Sequence, residues 1–265
     1  MSTAITLQPP ARKNLLSPIV IIGILFFIFG FVTWANSTLI PYLGIACELT
    51  TSEAVLVTFA FYISYAVMAF PSSWVLKKTG FKNGMMVGLL VMALGALMFI
   101  PAANSRIFSF FLVALFVIGT GLALLQTASN PYMESAAKRI SIMGICNKTA
   151  GALAPLILGA IVLKDSSALE ARLLTMDAAQ KAAELDMLAS RVIMPYVVIA
   201  IVLVLLGVFI YFSHLPEVKA EGEESGVAPS ASFVQRKSIF NYPYLWLGFV
   251  SIFLYVGVEV MAGDI

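Results

Sequence analysis

Gln126 and Asn130 stand four residues apart in the run "LLQTASNPYM", directly after a long apolar stretch. At that spacing both side chains share one face of a helix. Each amide carries donors and an acceptor, which matches hydroxyl groups that both give and take hydrogen bonds. A second run, "WANSTLIPYL", places Asn36 five residues before Pro41-Tyr42, just as Gln126 stands five residues before Pro131-Tyr132. A third, "GICNKTAG", holds Asn147 and Lys148, with Gly144 and Gly151 on the face of Lys148. Such residues offer recognition of a hydroxylated ligand, with one fixed positive charge nearby. The same amides can instead bond packed helices to one another. Thr127, Ser129, Ser37 and Thr38 are better placed to bond the carbonyls of their own helix.

What positions these groups follows from composition. Apolar residues make up 60% of the chain, charged residues 11%, and the mean hydropathy is +0.96. A soluble domain carries about 25% charge, and a soluble protein this apolar could not cover its own surface. The chain reads as an all-α membrane protein. Its net charge of +2 is too small to imply nucleic acid. Cys47 and Cys146 form no disulfide framework. Uncharged windows at 14–47, 54–76, 83–105, 107–133, 192–213 and 238–258, with 140–163 broken only by Lys148, each hold the ~20 residues needed to cross hydrocarbon. In lipid they must be helices, because every backbone polar group needs an internal partner. That predicts six complete spans and the start of a seventh.

With the N-terminus in the cytoplasm, the inner segments carry ten basic residues and the outer segments five: Arg106, Lys164, Arg172, Lys181 and Arg191. This is the expected bias. The predicted organisation is a cytoplasmic N-terminus at 1–17, a six-span bundle at 18–214, a cytoplasmic linker at 215–241 and a truncated seventh span at 242–265. The linker stretch "EVKAEGEESGVAPSASFVQ" is acidic and rich in small residues. A chain that stops inside a span reads as a fragment lacking its C-terminal half. The long outer loop, rich in Ala, Leu, Glu and Lys, predicts a short surface helix. Lys148 is the one basic residue inside a complete span, where a charge costs about 2.5–3.5 kcal/mol. With its helix taken to start at the window's edge, Lys148 lies about 10–13 Å from the cytoplasmic end. Snorkelling to that interface is one reading; the other is a buried cation lining the cavity at the depth of Gln126 and Asn130, partnered by Glu259 of the seventh span or by a sugar hydroxyl.

No HExxH, GxSxG or P-loop pattern is present, and no paired carboxylates sit inside a complete span. No enzyme activity and no cofactor are expected. A channel would show a filter-like segment or a charged ring. A non-sugar carrier and a structural subunit remain as alternatives to a sugar carrier.

The first span runs outward and the fourth inward, and both carry a polar cluster followed by Pro-Tyr. Spans one to three and four to six therefore read as an inverted-topology repeat. At this point the segments "NSTLIPYL", "VLKKTGFKNGM", "LLQTASNPY", "SIMGICNKTAGALAPLILGAIV" and "FLYVGVEVMAGD" resemble the fucose:proton symporter family of the major facilitator superfamily, in the branch of bacterial glucose/galactose transporters. The resemblance runs from Pro18 to Asp264. It implies the N-terminal six-helix half of a twelve-span ion-coupled hexose importer in a bacterial inner membrane. A monosaccharide, a coupling cation, the lipid bilayer and the missing C-terminal half would be its partners. It points to Asn36, Gln126, Asn130, Asn147 and Lys148 as sugar contacts, with Trp34, Phe61, Tyr62 and Tyr65 available to stack on a pyranose. Two departures matter. Ser37 and Gln126 stand where the family's symporters place carboxylates in spans one and four, and Glu259 stands where a neutral amide is expected. Neither Ser37 nor Gln126 can carry a proton, so sodium is favoured over protons, with Glu259 as the ion-coupling candidate.

Overall fold

The computed structural model of the chain describes residues 18–132, 136–173, 175–213, 215 and 243–264, and among them every regular element is helical. The helices are α1 (Pro18–Ala46), α2 (Thr51–Leu97), α3 (Phe99–Ser105), α4 (Phe108–Ser129), α5 (Ala136–Val162), α6 (Ser166–Leu173), α7 (Ala178–Ser190), α8 (Ile193–Phe212) and α9 (Pro243–Asp264). The expected N-terminal segment and all of the linker but Leu215 lie outside the described residues.

Six stretches among the described residues are long and apolar enough to cross a membrane. One of them, Thr51–Ser105, has 55 residues. At about 1.5 Å per residue it is more than twice as long as a hydrocarbon core is thick. It breaks at Gly80, whose φ of 75° and ψ of 170° lie outside the helical region. Only glycine adopts such a conformation without strain. The break falls in "KKTGFK", so α2 comprises spans two and three with a basic hinge between them. Together with α1, α4, α5, α8 and α9 this makes six complete spans and a seventh.

A capping box starts α2. The Thr50 hydroxyl accepts from the Glu53 amide at 3.3 Å, and the Glu53 carboxylate accepts from the Thr50 amide at 2.8 Å. At the opposite end of the bundle, the Lys82 ammonium donates to the Ser213 carbonyl at 2.5 Å, tying the start of span three to the end of span six.

Packing reproduces the inverted repeat. α1 packs chiefly on α5, and α4 packs on α2. Glycines set these approaches. A Cβ on Gly30 would run into the Asn147 backbone of α5, and one on Gly119 of α4 into Phe61 and Ser64 of span two. Gly207 of α8 lies against Leu89 and Leu90 of span three. Exchanging the two triplets turns the one–five pairing into the four–two pairing and leaves three–six unchanged, as a two-fold axis in the membrane plane requires. The close contact of span three with span four, at Gly88 and Gly121, is not matched among the described residues by an equally close contact of span six with span one. Phe61, Met85, Leu89, Met92 and Leu115 are fully buried between these helices. Phe70 of span two, Leu156 of α5, and Met194 and Leu205 of α8 point outward, as lipid and not water permits.

The outer loop forms two helices, α6 and α7, where one was expected. Asp177 divides them by accepting from the Gln180 amide at 2.8 Å, an N-cap that opens α7. α7 lies across the outer ends of α1 and α3. Arg106 pairs with Asp186 at 3.0 Å, Lys181 pairs with Glu48, and the Tyr42 hydroxyl donates to the carbonyls of Leu188 and Ala189 at 3.0 and 2.9 Å.

The two Pro-Tyr sequences differ in conformation. α4 ends at Ser129, and Asn130–Tyr132 form a short 3₁₀ turn. Pro131 serves the helix end there, as its missing N–H allows. Pro41 instead sits inside α1, which continues to Ala46. The loss of the Pro41 hydrogen bond is tolerated where Tyr42 is clamped to α7.

Candidate functional site

The close approach of α1 and α5 positions a polar cluster at mid-depth. Gly151 sits against the Trp34 indole, and any side chain there would collide with the ring. The seated Trp34 donates from Nε1 to Asn147 Oδ1 at 3.4 Å, a long bond between half-buried groups. The Lys148 ammonium lies 5.2 Å from the centroid of the same ring, within cation–π range. It is paired with the Glu259 carboxylate of α9. The Lys148 side chain is 53% exposed and that of Glu259 24%, so the pair borders an open space and is not sealed in the core.

α5 starts at Ala136, four residues before the uncharged window opens. Lys148 is therefore twelve residues into the helix, about 18 Å along it. That is deeper than the expected 10–13 Å. Trp34 and Glu259 each lie sixteen residues beyond the first residue of their own helices, Pro18 and Pro243. In this structure the Lys148 ammonium is paired with Glu259 at that depth, not with Gln126 or Asn130.

Asn36 is 2% exposed on α1 and its Nδ2 has no hydrogen-bond partner among the described residues. An orphaned amide of this kind costs about 1–3 kcal/mol. It is two residues from Trp34 and so points to a different side of α1.

Gln126 and Asn130 lie elsewhere. Gln126 is three residues from the inner end of α4, about 5 Å along the axis, and Asn130 is in the turn that follows. Both are half-buried. No hydrogen bond joins either side chain to Asn147 or Lys148 among the described residues. The candidates thus fall on two levels: Trp34, Asn36, Asn147, Lys148 and Glu259 near the middle of their helices, Gln126 and Asn130 near the end of the bundle at which α1 and α5 begin.

The hydroxyls behave as expected. Thr127 donates to the Ala123 carbonyl at 2.8 Å, Ser129 to Gln126 at 3.1 Å and Ser37 to Trp34 at 2.7 Å. Phe61 is fully buried and unavailable for stacking. Tyr62 and Tyr65 stack on each other with centroids 6.2 Å apart. Gly151 stood out on the face of Lys148, but Gly30 of α1 did not. The signal was there: small residues on facing spans mark close helix approach.

The signature of the Major Facilitator Superfamily matches residues 22–263. The chain belongs to the Major Facilitator Superfamily. It is 31% identical over 276 residues to a glucose/galactose transporter of Brucella abortus biovar 1 (strain 9-941), covering 100% of this chain and 62% of that one. It is 27% identical over 255 residues to the L-fucose-proton symporter of Escherichia coli (strain K12), covering 93% and 58%. Among solved structures, that of a superfamily transporter, FucP, in the outward conformation superposes with a TM-score of 0.65 at 28% identity, over 82% of this chain and 54% of the other. The chain thus spans about three-fifths of the length of these curated relatives. The superfamily assignment agrees with the helical bundle and its inverted triplets.

Proposed function

We propose that the full-length transporter imports a hexose of the glucose/galactose type across a bacterial inner membrane by alternating access. The N-terminus is cytoplasmic, and sodium rather than protons drives uptake. The chain acts as a carrier and not as an enzyme. One observation carries the reading: an aromatic face, an amide and a charge pair converge at mid-bilayer where α1, α5 and α9 meet. The faces of Trp34 suit the apolar C–H side of a pyranose. Asn147 keeps its Nδ2 donors for hydroxyls, since its Oδ1 is taken by Trp34. The unpartnered Asn36 Nδ2, on another side of α1 from Trp34, is open to a hydroxyl that reaches that side, and Gln126 and Asn130 offer a second set of amides at the inner mouth. The glucose/galactose transporters among the relatives support a hexose. The C-terminal half would build the other wall of the cavity.

Glu259 is the coupling carboxylate in this reading, and Lys148 is its competitor for the cation. With no cation bound, the ammonium neutralises the carboxylate across the α5–α9 contact. A sodium ion that takes Glu259 releases Lys148 to the sugar site or to solvent. Cation binding on one helix is thereby linked to the freedom of another. Uptake of labelled hexose by membrane vesicles tests the coupling. Uptake is expected to collapse when choline replaces sodium and to persist with a protonophore at fixed membrane potential. The reverse pattern would contradict sodium coupling.

A further inference from the structure

A groove of about 360 Å³ opens on the flank of the bundle between α1, α5 and α8. Phe31 and Val32, Ile157 and Ile161, and Met194 and Val198 line it, and the whole lining is apolar. Ile157, Ile161, Met194 and Val198 are 47%, 47%, 70% and 50% exposed. The groove lies on the open flank of this bundle, and none of the polar candidates lines it. It runs from the end of the spans where α5 finishes and α8 begins, the outer leaflet in the orientation proposed above, down to Phe27 and Leu203 in the middle of α1 and α8.

The charges at its mouth are unlike the rest of the outer surface. Arg106, Arg172 and Lys181 each pair with an acid: Asp186, Glu184 and Glu48. Lys164 and Arg191 pair with none among the described residues. They are brought together by their positions. Lys164 follows the end of α5 and Arg191 precedes α8, and the Arg191 guanidinium donates from Nη1 to the Lys164 carbonyl at 2.7 Å. Three residues separate Lys164 from Ile161 and Arg191 from Met194, the lining residues nearest the mouth on each helix. Asp165 is exposed beside them, so the local charge is one positive unit. Its carboxylate makes no ion pair with either among the described residues.

We propose that this is a binding site for an anionic phospholipid of the outer leaflet. Lys164 and Arg191 hold the headgroup phosphate, and one acyl chain fills the groove beneath. The guanidinium still has N–H groups free after its bond to Lys164, and its fork matches two phosphate oxygens. Lys164 adds a mobile point charge. An apolar slot directly under an unpaired basic couple complements a lipid in both halves, and a soluble anion in only one.

Native mass spectrometry of the detergent-purified full-length protein, titrated with phosphatidylglycerol or phosphatidylcholine of the same chains, tests this. Wild type is expected to retain phosphatidylglycerol in preference. Lys164→Gln is expected to weaken retention about fivefold, the effect of one basic residue on an anionic lipid. Lys164 is exposed and its side chain makes no bond among the described residues, so the variant keeps its structure. Ile157→Trp, on an exposed lining position, is expected to weaken both lipids by filling the groove. Equal retention of the two lipids by wild type overturns the proposal, as does unchanged retention in Lys164→Gln. Displacement by inorganic phosphate with no effect of Ile157→Trp also overturns it, since the headgroup alone would then be bound.

Discussion

Glu259→Gln in the full-length transporter is expected to reduce sodium-driven hexose accumulation at least tenfold while leaving sugar exchange across the membrane intact. The amide keeps the shape of the carboxylate but removes the charge that both Lys148 and the coupling cation require. Lys148 is then a cation at mid-bilayer without its counter-charge. On insertion scales such a charge costs about 2.5–3.5 kcal/mol. With 53% of its side chain exposed, water or the Trp34 ring takes part of that load, so the protein stays folded and inserted. Exchange needs only loading and reorientation of the sugar-bound carrier, whereas accumulation needs the cation. The complementary variant, Lys148→Met, frees Glu259 and is expected to raise apparent sodium affinity. Counterflow and net uptake measured side by side check both. Wild-type accumulation with full sodium dependence in Glu259→Gln would remove the ion pair from the mechanism.

Asn36→Leu is expected to act in opposite directions on the empty and the sugar-loaded protein. In the empty protein the buried Nδ2 has no partner, and leaving such a group unsatisfied costs about 1–3 kcal/mol. Leucine has the same branched outline, though bulkier, and removes that cost, so the empty protein should melt at a higher temperature. A sugar hydroxyl that satisfies the amide in the loaded protein finds nothing in the variant. Binding should weaken by about 1 kcal/mol or more, a factor of five upward. The extra thermal stability that sugar confers on wild type should shrink accordingly. Thermal melts with and without hexose read both effects. A variant that melts lower when empty would show that Asn36 bonds within the fold and is packing, not a ligand.

The spans were legible because charge is costly in lipid. Gaps between charged residues locate the helices, and the basic stretch "KKTGFK" separates spans two and three at Gly80; the inverted repeat followed from two Pro-Tyr sequences. The division of the outer loop was also written in the chain, since Asp177 three residues before Gln180 is an N-cap signal. The Lys148–Glu259 contact was legible only as one of two readings. It depends on how α9 leans on the bundle, and residues 111 apart in sequence carry no local signal of that. The two depths of the candidate amides were missed for a definite reason. The edge of the uncharged window was taken as the start of α5, but Lys138 and Arg139 lie inside the helix, whose hydrogen bonding does not stop where charge begins. The Trp34–Asn147 bond needed the close approach that Gly30 and Gly151 allow.

The account rests on the amides being ligands for sugar and not bonds between helices. Calorimetric titration of hexose into purified full-length protein tests this most directly, comparing wild type with Gln126→Leu, Asn147→Leu and Thr127→Val. The Thr127 hydroxyl already bonds the Ala123 carbonyl, so Thr127→Val should bind as wild type does. Gln126→Leu and Asn147→Leu should each bind several-fold more weakly, about 0.5–1.5 kcal/mol per lost hydrogen bond. Wild-type affinity in both amide variants would contradict the account and leave these polar runs as helix packing.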